Sequence, residues 1–399
     1  MDSKRILFIS GSVGLGHAGR DVAIARALRE INPNIEISWL AGDPAKRLIG
    51  DAGESLLPES ESLGDDSGAA ESVSGEFASN VIDYGWAARE AWKRNLRTFL
   101  DVTKRGDFDF AVGDETYEIT FAFSVRPELK KLPFVMIYDF VGLDATGWNP
   151  LERLRAYMGN RVWSGGRRAK PPVEELTLMV GEHEDVPDRS FGFLLPNRRD
   201  YALRHYEFLG YVFPFDPEDY VDRSALRKAL GYDDRPLVVC AIGGTSVGRD
   251  LLGLCAETYP YLEERVGDLQ MVLVLGPRFD GSTITVPDGV DVRGYVPRLY
   301  EHLAASDLAI VQCGGTTTLE LTALRRPFIY FPLRDHFEQE TVVGGRLARH
   351  GAGVRMHYGE TTAEELAEVA VSVLGTEPNW PPISSDGAMV AAQLINKLL

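Results

Sequence analysis

Two stretches of this chain hold residue types that can handle a phosphate and a proton. The first covers residues 291–339, DVRGYVPRLYEHLAASDLAIVQCGG followed by TTTLELTALRRPFIYFPLRDHFEQ. Within it an apolar run over 308–311 meets Gly314 and Gly315, then Thr316, Thr317 and Thr318, then a helical pattern over 319–325. A glycine turn between strand and helix leaves backbone N–H groups unpaired and aims the positive end of the helix dipole at one spot, which favours a phosphate. Glu320 follows one turn in, an acceptor placed for a ribose diol. A carboxylate there also stabilises a helix N-terminus with no ligand at all. Gln312, just before the turn, can donate a hydrogen bond to a phosphate oxygen but carries no charge. A second glycine-rich turn, Gly243-Gly244-Thr245-Ser246, closes the apolar run 236–242 and offers another phosphate cradle or a plain tight turn.

The second stretch is GSVGLGHAGRD, residues 11–21. Its glycines at 11 and 16 begin a P-loop spacing, but His17-Ala18 stands where Lys-Ser/Thr is required. The glycines at 11, 14 and 16 do not give GxGxxG either. What is left is His17 presented at a helix N-terminus by a loop shaped by Gly14 and Gly16. Histidine is the side chain most often tuned for proton transfer near neutral pH, and alone it also serves to cap or pack such a loop. Farther on, the strand pattern 108–112 ends in Gly113-Asp114-Glu115-Thr116. In an open α/β sheet, carboxylates at that end of a strand lie beside the ligand crevice. The Asp107-Phe108-Asp109 triplet sits at the opposite end and reads as a solvated strand start.

The elements that must carry these residues alternate. Strands are expected over 5–10, 35–40, 108–112, 133–138 and 176–180. A second series follows over 236–242, 270–275, 290–292, 308–311, 328–331 and 353–356, with helical patterns between. Alternating β and α with buried apolar strands means parallel, doubly wound sheets. Residues 80–104 read as one long amphipathic helix, 206–219 as the linker between domains, Ser224 as a helix cap, and Thr361-x-x-Glu364 as a capping box. A helix is expected from about Glu338 to His350, and another over 388–399. Residues 51–76 hold eight acidic residues and no Lys or Arg, and read as a mobile surface loop. Residues 148–170 reverse that balance, with six basic residues against Glu152, and interleave Leu151, Leu154, Tyr157, Met158, Val162 and Trp163. Such a helix either lies on an anionic membrane or a lipid-linked acceptor, or packs on the sheet with a charged outer face.

Composition sets outer limits. With 399 residues, 44% hydrophobic and 25% charged, the chain is long enough for two ordinary globular cores. A net charge of −17 argues against general nucleic-acid binding. Three cysteines, Cys240, Cys255 and Cys313, show no CxxC spacing and read as buried thiols. There is no metal-ligand spacing such as HExxH and no GxSxG elbow. The N-terminus lacks the roughly 7–15-residue apolar core of a signal peptide and no membrane-length apolar run occurs, so a cytoplasmic location is expected.

The stretch 291–339 resembles the nucleotide-sugar signature of the UDP-glycosyltransferase superfamily, whose fold is called GT-B. The resemblance extends to its bacterial lipid-acceptor branch. It implies that the GYVP motif, with Tyr295 and Val296, opens the donor site and that Gly314, Gly315, Thr316 and Thr317 grip the pyrophosphate. It also gives the ribose to Glu320 and the donor sugar to Glu338 and Gln339. The family often has His where this chain has Gln312. The loop 11–20 is similar to the family's acceptor loop, which implies that His17 is the general base, oriented by Asp114, with Glu115 as substitute. The implied architecture is two Rossmann-like domains facing a cleft. These are an acceptor domain over 1–212 and a donor domain over 213–380, with a terminal helix over 381–399 crossing back. The implied reaction is inverting, metal- and cofactor-independent transfer of a sugar, expected to be UDP-linked, to a lipid-linked or small-molecule hydroxyl. A nucleotide-sugar 2-epimerase and a non-catalytic nucleotide-sugar-binding subunit are the alternatives.

Overall fold

A computed structural model describes residues 3–11 and 13–399. The chain divides into two compact units, one built from residues 1–73, 80–214 and 384–399 and the other from 74–79 and 215–383. Each is an α/β unit around a six-stranded parallel sheet.

In the first unit the strands are β1 (Lys4–Ser10), β2 (Ile35–Ala41), β3 (Phe110–Asp114), β4 (Phe134–Tyr138), β5 (Leu176–Met179) and β6 (Glu207–Phe208). They lie in the order β2-β1-β3-β4-β5-β6. The chain leaves β1 towards one edge and returns at β3 to build towards the other, so the strand order reverses between β1 and β3. In open α/β sheets ligands bind outside the strand ends at such a point. The inner strands β1, β3 and β4 carry buried apolar runs because helices cover both faces. Phe8 stacks on Trp39 with ring centroids 4.5 Å apart, joining β1 to β2. The helix Gly16–Ile31 buries Ala18, Val22, Ala25 and Leu28 on this sheet. The terminal helix Gly387–Asn396 adds Ala391, Ala392 and Ile395 to the same core.

The second unit contains β7 (Leu237–Ala241), β8 (Gln270–Val274), β9 (Val290–Arg293), β10 (Leu308–Gln312), β11 (Phe328–Phe331) and β12 (Val354–Arg355). Their order is β12-β11-β10-β7-β8-β9, and the reversal falls between β7 and β10. The turn 243–246 follows β7 and the turn 313–315 follows β10, so the two glycine turns leave neighbouring strands at the switch point.

Several expectations need correction. Residues 51–76 are not a featureless loop: they form a 3₁₀ turn, Pro58–Ser62, and a helix, Asp66–Ser72. Glu54 anchors the segment, accepting hydrogen bonds from both Arg29 Nη atoms (2.6 and 2.7 Å) and from Trp39 Nε1 (2.7 Å). The long helix over 80–104 is two helices, Val81–Ala87 and Arg89–Thr103. The stretch 206–219 begins as β6 and buries Leu209, Tyr211, Val212 and Phe213, so only its last few residues link anything. The helix Arg223–Leu230 is capped by Asp222, not Ser224, and the capping box is Thr362 with Glu365, one residue later than the pattern suggested. From Glu338 the chain forms a π-helical turn, Glu338–Val343, before the helix Gly344–His350.

Because Glu54 supplies the acceptor for a buried indole N–H, Glu54→Ala is expected to destabilise the first unit by about 1–3 kcal/mol, read in a denaturant melt. Most of the effect comes from Trp39, since Arg29 is 36% exposed and solvent screens its share.

Candidate functional site

His17, in the first turn of the helix Gly16–Ile31, stands among groups from β3 and β4. Its Nδ1 lies 3.4 Å from Asp114 Oδ2 and 3.9 Å from Asp139 Oδ2, and its Nε2 lies 3.5 Å from Glu115 Oε2. Asp114 ends β3 and is fully buried, while Asp139 follows β4 directly. Glu115 holds φ at 50°, an uncommon conformation for a residue with a side chain, and accepts from the Tyr117 hydroxyl at 2.8 Å. Gly11 closes the approach: a Cβ there would lie 3.0 Å from the Asp114 carbonyl oxygen and 3.7 Å from His17 Cγ. Ser12 of the same loop is outside the described residues.

Arg20 organises the cluster. Its Nε donates to Asp114 Oδ2 at 2.8 Å, Nη2 also reaches Asp114 Oδ1, and Nη1 pairs with Asp139 Oδ1. The next residue, Asp21, is fully buried and its Oδ2 accepts from Ser10 Oγ at 2.6 Å. The sequence reading missed Arg20, Asp21 and Asp139 as site residues. A signal existed for two of them, since Arg20 is three residues after His17 on a helix and Asp139 closes a strand as Asp114 does.

The charges sort themselves by burial and proximity. Burial works against the Asp114 carboxylate, but the Arg20 guanidinium and then His17 outweigh it and hold Asp114 below the usual carboxylate range. Burial and the neighbouring Asp114 push the Asp21 carboxyl well up. Burial and Arg20 both oppose a charged His17, yet Asp114 and Glu115 prevail and raise it to about 10. Arg20 Nη2 sits 2.8 Å from His17 Nδ1. A guanidinium only donates, so that contact is a hydrogen bond when Nδ1 is bare. The neutral ring with Nδ1 bare thus accepts from Arg20 and carries its proton on Nε2, towards Glu115, while the doubly protonated ring is stabilised by the carboxylates.

His17, Glu115 and Asp139 offer ligand atoms within 4.8 Å of one another, the one such grouping among the described residues. A cation there would stand beside the buried Arg20 guanidinium, which already pairs with Asp139 and Asp114. The donor set is better matched to a proton than to a metal ion.

In the second unit Gly314 is the N-cap of the helix Gly315–Ala323, and no side chain caps it. The first-turn N–H groups, at Gly315, Thr316 and Thr317, thus have no acceptor within the helix. Thr318 turns its hydroxyl back onto the Gly314 carbonyl at 2.8 Å. Glu320 is buried and pushed up to about 8 by that burial, so near neutral pH it is mostly a carboxylic acid that both donates and accepts. Glu338 Oε1 lies 4.0 Å from the position a Cβ on Gly315 would take, beside the helix N-terminus. Gly243 takes φ of 97°, open to glycine, with Gly244 and Thr245 following in the turn after β7. Tyr295 is half-buried beyond β9, and Val296 packs on the core of this unit.

Two assignments change. In the amide orientation that satisfies its neighbours, Gln312 donates to the carbonyls of Ile242 (3.2 Å) and Val247 (2.8 Å) and accepts from Gln339 Nε2 (2.8 Å). Both amide hydrogens are engaged, so in this arrangement Gln312 does not donate to a diphosphate. Gln339 is buried and accepts from Leu333 N at 2.9 Å. The pair braces the two glycine turns and the 333–339 loop from beneath.

The helix Pro150–Trp163 is inverted relative to a core helix. Leu151 (51%), Leu154 (55%) and Met158 (50%) are exposed, while Glu152, Ala156 and Asn160 are buried. Asn160 bonds Leu143 N, Leu143 O and Phe191 O, and Arg153 covers the exposed Trp148 ring at 4.8 Å. No helix among the described residues is long and apolar enough to cross a membrane.

Because Asp114 is a main support of the His17 charge, Asp114→Asn is expected to lower the His17 midpoint by ~1–3 pH units in an NMR titration. An unchanged midpoint would remove Asp114 from that role.

Residues 238–380 match the glycosyltransferase family 28 C-terminal domain. An uncharacterized glycosyltransferase of Methanopyrus kandleri is 27% identical over 47% of this chain and 53% of its own length, so the match spans about half of that relative. The UDP-N-acetylglucosamine–N-acetylmuramyl-(pentapeptide) pyrophosphoryl-undecaprenol N-acetylglucosamine transferase of Mycolicibacterium vanbaalenii is 24% identical over 63% of this chain and 64% of its own. Among solved structures, the glycotransferase of kitacinnamycin superposes with a TM-score of 0.63 at 15% identity, covering 100% of this chain and 99% of the other, a likeness of fold. The two parallel sheets, with glycine turns at their switch points, thus have the GT-B fold of that solved glycosyltransferase, and residues 238–380 are similar to the glycosyltransferase family 28 C-terminal domain.

Proposed function

We propose that the protein transfers a sugar from a nucleotide diphosphate, UDP-linked, to an acceptor hydroxyl with inversion at the anomeric carbon. The observation that carries this reading is the family 28 match over 238–380, which contains both glycine turns, Glu320 and Glu338. The first-turn N–H groups after Gly314 and the helix dipole stabilise the departing diphosphate, whose charge grows in the transition state, and no metal ion is invoked. Glu320 receives the ribose hydroxyls, and Glu338, beside Gly315, receives the donor sugar.

His17 takes the acceptor proton as the hydroxyl oxygen attacks the anomeric carbon from the face opposite the diphosphate. The C–O bond to the diphosphate breaks, and the proton ends on the imidazole. Asp114 and Glu115 stabilise the imidazolium, and Arg20 keeps Asp114 ionised and in place. The cluster's charge pattern is what such a base needs after transfer.

The exposed apolar stripe Leu151, Leu154 and Met158, with Trp148 and flanking arginines, supports a lipid-linked acceptor and contact with an anionic membrane surface. Relatives whose names specify an undecaprenol-linked acceptor point the same way.

The test is release of UDP from a panel of UDP-sugars with and without lipid extract. Release is expected only when acceptor is present, and His17→Ala is expected to lower turnover by ~10²–10⁴-fold while UDP binding persists. Full turnover in that variant would remove His17 as the base, and isomerised sugar without acceptor would favour the epimerase.

A further inference from the structure

Residues 74–79 lie between helices of the first unit in sequence, yet they belong to the second. The chain leaves one unit after Val73 and is back in it at Asn80. Within those six residues Phe77 is completely buried, with φ at 45°. A bulky side chain in that region is a genuine outlier that costs on the order of 1–3 kcal/mol and persists only where its surroundings impose it.

The surroundings are the loops that carry the donor-binding stretch. The Phe77 ring stacks on Tyr358 at 4.7 Å and meets Phe331, the last residue of β11, edge-on at 6.3 Å. A Cβ on Gly248 would lie 3.3 Å from the Phe77 ring and 2.5 Å from the Gln312 side-chain amide, so ring, glycine and amide form one packed column. The Phe77 N–H donates to Asp250 Oδ2 at 3.0 Å, at the start of the helix that follows the first glycine turn. Ala78 forms a parallel bridge with Arg334. Phe77 O accepts from Arg334 N at 3.0 Å, Ser79 N donates to Arg334 O at 3.0 Å, and Glu76 O accepts from Arg334 Nη2 at 2.7 Å. Arg334 immediately follows Leu333, the residue whose N–H holds Gln339.

From this we infer that the segment 74–79 is a built-in floor of the nucleotide-sugar site, and that Phe77 is a positioning residue for it. The ring fixes Gly248 and hence Gln312. Gln312 holds the turn after β7 through Ile242 and Val247, and it holds Gln339. The strand-like pairing with Arg334 fixes the loop that delivers Glu338. Phe77 touches no substrate; it sets the distance between the two glycine turns, and so the affinity for the diphosphate they grip. This rests on the reading of those turns as the donor site.

The experiment measures UDP binding by calorimetry and the separate KM values for UDP-sugar and acceptor in Phe77→Ala, Phe77→Leu and Asp250→Ala. For Phe77→Ala, UDP affinity is expected to fall about tenfold or more, with the UDP-sugar KM rising in step while acceptor KM and kcat hold. Phe77→Leu should recover part of the loss. Asp250→Ala keeps the ring and loses only its anchor, so it should weaken UDP by a smaller factor. Unchanged UDP affinity in a cooperatively folded Phe77→Ala would overturn the inference. If Phe77→Ala does not fold, unchanged affinity in Asp250→Ala overturns it instead. Failure of the wild-type protein to bind any nucleotide would be a different result, one that removes the donor-site reading itself.

Discussion

The carboxyl groups of Asp114, Asp139 and Asp21 and the imidazole of His17 crowd around the Arg20 guanidinium, and the first unit's site depends on that one fixed charge. Burying Asp114 with no cation would cost several kcal/mol, and the group would take up a proton instead. With Arg20 bidentate on Asp114 that carboxyl is held low, while burial and Asp114 itself push the Asp21 carboxyl the other way. Only then is His17 held between an acid that stabilises its charged form and a guanidinium that contacts its bare nitrogen. The helix carrying His17, the ends of β3 and β4 and the close approach at Gly11 all serve that arrangement.

The second unit is built differently, with glycine turns and the uncapped N–H groups at the start of the helix Gly315–Ala323. Backbone does not hold its own shape at such turns. Gln312 and Gln339 supply the missing rigidity as a neutral, hydrogen-bonded pair under the turns. The position where the family often has His is here a strut.

Much of this was legible because parallel strands buried on both faces are short continuous apolar runs, and because glycine turns after them are local. Eleven strands were readable within about two residues. β6 was not, since two residues make no pattern, and 206–219 looked like a linker for its prolines. The acidic run 51–76 misled by composition, because one buried acceptor, Glu54, outweighs the solvent preference of its neighbours. Asp114 and His17 could be paired through the resemblance. Arg20 gave one local signal, its place three residues after His17 on a helix, but its bonds to Asp114 and Asp139 span 94 and 119 residues and no local pattern shows them. Nothing in residues 74–79 marks them for the second unit, since their contacts are with Asp250, Phe331, Arg334 and Tyr358.

The most direct measurement is the pH dependence of kcat/KM for the acceptor, which reports the free protein's titrating groups. His17 is raised to about 10, so as the proposed base it would act near neutral pH only through its deprotonated fraction. The account predicts that kcat/KM climbs steadily from neutral pH towards that midpoint, and that the climb vanishes with His17. A profile that is flat, or falls, over that range would contradict a base at His17.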